Sequence, residues 1–177
     1  MNYVYIGKIV NTHALKGEVR ILSNFDFKEK VFKVGTSVYI GEEKIKETII
    51  SYRKHKNFDM VKFKGIDNIN DVLKYKGKKV YVLKSNLNLS EEEILDEDLI
   101  GMKAIFNNKI IGTIEEIDNY NGNKVIYLDN ELIIPYHKNF IKNIDLNKKE
   151  ITFINLEGLI NEDWYINTFS RNDRTIY

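Results

Sequence analysis

His13, His55 and His137 are the only histidines of the 177-residue chain, and they stand far apart. A metal centre needs ligands at short, regular spacings, and these imidazoles do not provide them. The chain has no cysteine, which excludes disulfides, thiol nucleophiles and cysteine-bound metals together. No Gly-x-Ser-x-Gly elbow and no Gly-x-x-x-x-Gly-Lys phosphate loop occurs. The carboxylates of EEEILDED, residues 91–98, are the one dense acidic group. General acid–base work needs two groups in different environments inside a cleft, and a solvated charge run supplies neither. No catalytic residue, metal or cofactor is therefore expected, and the histidines read as turn or surface residues.

Binding is the better-supported chemistry. SYRKHKNF places Arg53, Lys54, His55 and Lys56 at the tip of an expected hairpin, with Tyr52 and Phe58 beside them. KYKGKK adds Lys74, Lys76, Lys78 and Lys79. Clustered cations bind phosphate by releasing counterions, and aromatic rings stack on exposed bases. On the residues alone two readings stay open: a loose RNA- or ribosome-facing surface, and a merely solubilising one. Sequence-specific readout is not indicated.

A third candidate is the stretch NTHALKGEVRI, residues 11–21, which interrupts the apolar run YVYIGKIV. Gly17 allows positive φ and a tight return into EVRI. Strand alternation then turns Val19 and Ile21 inward and Glu18 and Arg20 outward, while Thr12, His13 and Lys16 project from the turn.

The elements that must carry these residues are short strands. Apolar runs of five to eight residues, separated by turn signals every ten or so, predict compact β-barrels. DNINDVLKY is the one expected short helix, capped by Asp67 with Ile69, Val72 and Leu73 on its buried face. Further on, hairpins are expected around Asn107-Asn108, around the Asn-Gly of NYNGN, and between KVIYL and ELIIPY and within KNIDLNKKEITFI. Pro135, the only proline, should end its strand.

Charge divides the chain where composition does. The formal net charge is only +1, yet residues 1–84 hold 18 Lys+Arg against 9 Asp+Glu, and residues 85–177 hold 9 against 17. Two modules with different partners follow from that asymmetry. The reading is an all-β protein in the main, with domains at 1–84 and 98–160, an acidic linker at 85–97 and an extension at 161–177. No secretory signal opens the sequence and no run of about 18 uncharged apolar residues spans a membrane, so a cytoplasmic protein is expected.

IGKIVNTHALKGEVRI resembles the N-terminal signature of the bacterial ribosome maturation factor RimM family. YRKHKNFDMVKFKGIDNINDVLKYKGKKVYV is similar to the family's Arg-x-His turn and the strands after it. DEDLIGMKAIF, IIGTIEEI, IIPYHKNFIKNIDLNKKEITF and LEGLI resemble its C-terminal PRC-barrel domain. The likeness runs from about residue 3 to 160, and the order and spacing of its pieces make it specific. It implies a translation-factor-like barrel followed by a PRC barrel. It also implies a non-catalytic assembly factor, expected as a monomer, that binds the immature small (30S) ribosomal subunit. A ribosomal protein of the subunit head and the ribosomal RNA would be its contacts, and late folding of the head its task.

Carried over by position, Thr12, His13, Lys16, Gly17, Glu18 and Arg20 fall in the first motif and Arg53 and His55 in the second. Asp98, Leu99 and Gly101 open the PRC barrel, and Pro135 with Tyr136 marks a later turn. The chain departs from the family at Ala14, where glycine is usual, and at Ile94 and Leu95, where tandem aromatics are common. It also extends through NEDWYINTFSRNDRTIY, where Trp164, Tyr165, Ile166 and Phe169 are candidates to dock on a barrel or a partner. Two other functions compete: an RNA-modifying or processing enzyme, and a general protein-interaction adaptor. The missing nucleotide, metal and nucleophile motifs argue against the first. Removal of residues 1–84 discriminates the second, because an adaptor would keep its partner.

Overall fold

The computed structural model describes residues 2–13, 17–120 and 123–160. Its contacts divide into two units, Met1–Ser90 and Glu91–Tyr177. In the first, six strands close a barrel: β1 (Tyr3–His13), β2 (Glu18–Leu22), β3 (Ser37–Ile40), β4 (Ile45–His55), β5 (Phe58–Phe63) and β6 (Lys79–Leu83). Around the barrel they run β1-β2-β5-β4-β3-β6, every neighbouring pair antiparallel. Alternation supplies the core, since Val4, Ile6, Ile9, Val19, Ile21, Val38, Ile40, Val80 and Val82 are all buried. At Gly7, next to a bulge, a Cβ would lie 2.7 Å from the Leu22 carbonyl oxygen, so only glycine lets β2 approach.

Several local expectations need correction. Thr12 and His13, expected to project from the opening turn, belong to β1, which continues to His13 and pairs Asn11 with Arg20, Thr12 with Val19 and His13 with Glu18. A register shift between Ile9 and Asn11 absorbs a residue and lets the polar segment stay in the ladder. The first unit also holds two short helices rather than one: α1 (Lys28–Val31), which buries Val31, and α2 (Ile69–Leu73). Asn68, not Asp67, caps α2, its side chain accepting from the Asn70 N–H at 2.9 Å. Leu73 is 49% exposed, and the buried stripe is Val72 with Tyr75 instead. A helix of five residues offers only one inward position per turn, and Tyr75 in the following turn supplies the next.

In the second unit the strands are β7 (Lys103–Phe106), β8 (Lys109–Tyr120), β9 (Asn123–Leu128), β10 (Ile133–Pro135), β11 (Ile141–Asp145) and β12 (Glu150–Phe153), with α3 (Asp96–Leu99) ahead of them. Their order is β10-β9-β8-β7-β12-β11, with β7 and β12 parallel. The first part of β8 pairs with β7 and the rest with β9, so this long strand serves both halves of the sheet. Asn107 and Asn108, both at positive φ (49° and 60°), form the expected two-residue hairpin tip. Pro135 is the last residue of β10. The Asn-Gly turn at 121–122 lies outside the described residues. Leu99, Met102, Phe106, Ile114, Ile126, Ile151 and Phe153 are among the residues of one buried cluster. Within the stretch expected as an acidic linker, Leu87 and Leu95 are buried, and a 3-10 turn occupies Lys84–Asn86. No helix among the described residues is long and apolar enough to cross a membrane.

Candidate functional site

The β1-β2-β5-β4 wall brings the two motifs of the first unit together. Register sets His13 opposite Glu18 and His55 opposite Phe58. From β2 the Arg20 guanidinium donates to His13 Nδ1 at 2.7 Å and stands 5.7 Å over the Phe58 ring. A guanidinium has only donors, so Nδ1 is the accepting atom of this contact. The His13 and His55 rings lie nearly parallel, 23° apart with centroids separated by 6.4 Å. Beside them Arg53 grips Glu18 with two bonds, Nε at 2.9 Å and Nη2 at 2.6 Å. That fork strengthens the charge of Arg53, raising its pKa above the ordinary guanidinium value.

His13, Glu18, Arg20, Arg53 and His55 thus lie together, although 32 residues of sequence lie between Arg20 and Arg53. Thr12 pairs with the buried Val19 and is not part of this arrangement. Lys54 and Lys56 are exposed, Lys56 at the β4–β5 tip with φ 54°. Lys16 lies outside the described residues. Gly17 has φ +73°, and a Cβ there would meet the Asn68 and Ile66 carbonyl oxygens at 3.2 Å, so the turn rests on the entry to α2. The arrangement changes the expected electrostatics. Arg20 and Arg53 are engaged within the unit, while neither Lys54 nor Lys56 forms an ion pair with a described residue.

One polar group on this wall is not at the surface: Asp59, among the apolar residues of FDMVKF, has no exposed surface. Lys28 of α1 reaches it at 2.9 Å and the Tyr52 hydroxyl donates to it at 3.0 Å. Burial raises the pKa of Tyr52, and the bond to Asp59 adds to the shift. The only local signal was a lone acid among apolar residues; its cation comes from 31 positions earlier.

In the second unit Leu99 anchors α3 in the core, and Gly101, at φ +80°, donates its N–H to the Ile114 carbonyl at 2.8 Å. Lys124 of β9, which the sequence did not single out, ties Asp96 of α3 at 2.7 Å and stands 5.3 Å over the Tyr136 ring. The Tyr136 N–H donates to the Lys124 carbonyl at 2.9 Å, so the segment around Asp98 and the Pro135-Tyr136 turn meet through one lysine. Tyr136 and Ile94 pack against the core partly buried, and Leu95 is buried. Trp164, Tyr165, Ile166 and Phe169 lie outside the described residues. Among those that are described, no group of three or more His, Asp or Glu residues is arranged to hold a metal ion.

A closed barrel followed by a PRC-type sheet defines a class of two-module β proteins, and the two modules match family profiles in that order. The RimM N-terminal domain matches residues 4–87 and the RimM PRC barrel domain residues 96–159. A ribosome maturation factor RimM of Exiguobacterium sp. is 37% identical over 171 residues, covering 92% of this chain and 99% of the relative. One from Streptococcus pneumoniae serotype 4 is 39% identical over 172 residues, covering 92% and 100%. A solved RimM structure from Pseudomonas aeruginosa, 22% identical, covers 86% of this chain and 96% of that one at a TM-score of 0.46. The chain belongs to the RimM family of ribosome maturation factors.

Proposed function

We propose that this chain is a non-catalytic factor in the maturation of the small ribosomal subunit, acting as a monomer in the cytoplasm. It binds the immature 30S particle, its first unit toward ribosomal RNA and its second toward a ribosomal protein of the head, and assists late assembly of that region. The observation that carries this is similarity to ribosome maturation factors through both modules, over nearly their entire length. Geometry supports the RNA-facing half: Arg20 is bonded to His13 and Arg53 to Glu18 beside two nearly parallel imidazoles, while Lys54 and Lys56 are left to meet phosphate.

Cosedimentation tests it. The full chain should travel with immature small subunits, poorly with mature ones, and less well as salt rises. Reversing Lys54 and Lys56 together to glutamate should weaken that association while leaving the circular dichroism spectrum unchanged. Equal binding to immature and mature particles, or turnover of RNA by the purified chain, would refute the proposal.

A further inference from the structure

A second surface of the first unit carries chemistry that the His13–Arg53 cluster does not use. On the outer side of the barrel one cross-strand row reads Tyr5 (β1), Tyr81 (β6), Tyr39 (β3) and Lys46 (β4), each directly opposite the next. Tyr3 joins it, packing edge-on against Tyr39 at 5.1 Å, as Tyr5 does against Tyr81 at 6.0 Å. Lys44, from the β3–β4 turn, holds its ammonium 3.5 Å from the centre of the Tyr81 ring and 5.6 Å from that of Tyr3. In the next row Lys8 stands directly opposite Lys79.

Cross-strand aromatic pairs stabilise a sheet, and that alone would account for the rings. It does not account for the lysines. Like charges set directly opposite oppose pairing, and Lys8, Lys46 and Lys79 form no ion pair with a described residue. Of the acids in the adjoining turn, Glu43 is already bound by Lys78 at 3.1 Å, and Glu42 stands exposed beside it. Glu47 lies opposite the buried Val38 and accepts from the Tyr75 hydroxyl. What remains is an aromatic strip flanked by cations, with Tyr5 49% exposed at its end.

We infer that this β1-β6-β3 face binds single-stranded RNA, a base stacking on the half-exposed Tyr5, which Tyr81 buttresses edge-on, and its phosphates meeting Lys8, Lys46 and Lys79. Charge complementarity selects a polyanion, and unpaired bases supply the π-faces that a duplex hides. The choice of RNA rests on the ribosomal reading above. A tyrosine ring accepts any base, so the contact is tolerant of sequence.

A short single-stranded RNA carrying 2-aminopurine, whose fluorescence falls on stacking, is the probe. With the full chain, quenching should accompany binding and should be absent with a duplex of the same sequence. Tyr5→Ala and Tyr81→Ala should each weaken binding about tenfold and relieve the quenching, while Tyr81→Phe keeps both. The Lys8→Gln/Lys79→Gln double variant should keep the quenching and reduce the logarithmic salt slope by about 0.7 for each lysine. Because Tyr5 is half exposed, its truncation also serves if Tyr81→Ala fails to fold. Binding without quenching, or affinity unchanged in folded Tyr5→Ala and the lysine variant, overturns the inference. So does loss of subunit association in the tyrosine variants with no RNA effect, which would make the face a protein contact. Either result leaves the cosedimentation test of the ribosomal role standing.

Discussion

Asp59 lies in the barrel wall without solvent contact, and its two partners come from different elements, Lys28 of α1 and Tyr52 of β4. Removing one member of a buried ion pair strands the other, typically at about 3–5 kcal/mol. Lys28 keeps 24% of its side chain in water, which softens the loss. Asp59→Ala should therefore lower the stability of the first unit by about 2–3 kcal/mol, read from the midpoint of urea unfolding. Tyr75 behaves differently. Burial first, then the bond to Glu47 and its charge, raise its pKa well above the ordinary range of a phenol. The folded state thus favours the neutral phenol, so this stabilisation is complete below pH 10 and drains away as the unfolded chain ionises above it. Stability should fall between pH 10 and the highest pH at which folding can be followed. Tyr75→Phe should flatten that fall, at a cost near neutrality of about 1 kcal/mol for the lost hydrogen bond.

At the scale of elements, local signals were legible and distant pairings were not. Val19 and Ile21 are buried as alternation required, and Asn107-Asn108 turns as its residue types demand. The parallel pairing of β7 with β12, and the closure of β1 on β6, join residues 47 and 71–80 positions apart, beyond what hairpin logic reaches. The helix at Ile69–Leu73 was found but its cap was shifted by one residue, because Asp67 and Asn68 are both good caps and only backbone geometry decides between them. The site had the same limit. Its two motifs could be named, yet that Arg53 would clasp Glu18 and Arg20 would clasp His13 depends on the β2-β5-β4 order. Gly17 shows how one turn depends on another element. Gly17 and Gly35 both have positive φ, but a Cβ at Gly35 meets nothing within 4 Å, whereas one at Gly17 crowds two carbonyls at the entry to α2. Gly35→Ala should cost about 1 kcal/mol from backbone strain alone. Gly17→Ala should cost roughly 2–3 kcal/mol, since those carbonyls cannot retreat without disturbing the Asn68 cap. Equal losses in the two variants would remove the contact with α2 from the account.

For the whole molecule, the boundary between units and the change in charge sign coincide. Contacts divide at Ser90–Glu91, and residues 85–90 carry no charge, so the excess of 18 cations over 9 acids belongs to the first unit and that of 17 acids over 9 cations to the second. Opposite fields of this kind favour different partners and act mainly on association rate and selectivity. The two units should then be separable. A fragment of residues 1–90 should unfold cooperatively and retain salt-sensitive RNA binding, while 91–177 should bind no RNA and keep any protein partner. The cut must fall after Leu87, which is buried, and after Asn88, whose carbonyl accepts from Lys30 at 3.1 Å. Ending the fragment at Lys84 discards both and should cost about 2–4 kcal/mol, within the range for losing a buried leucine. Urea unfolding of the two first-unit fragments, with filter binding of labelled RNA to each piece, measures both claims. RNA retained by 91–177 alone would show that the charge division does not govern which partner each unit takes.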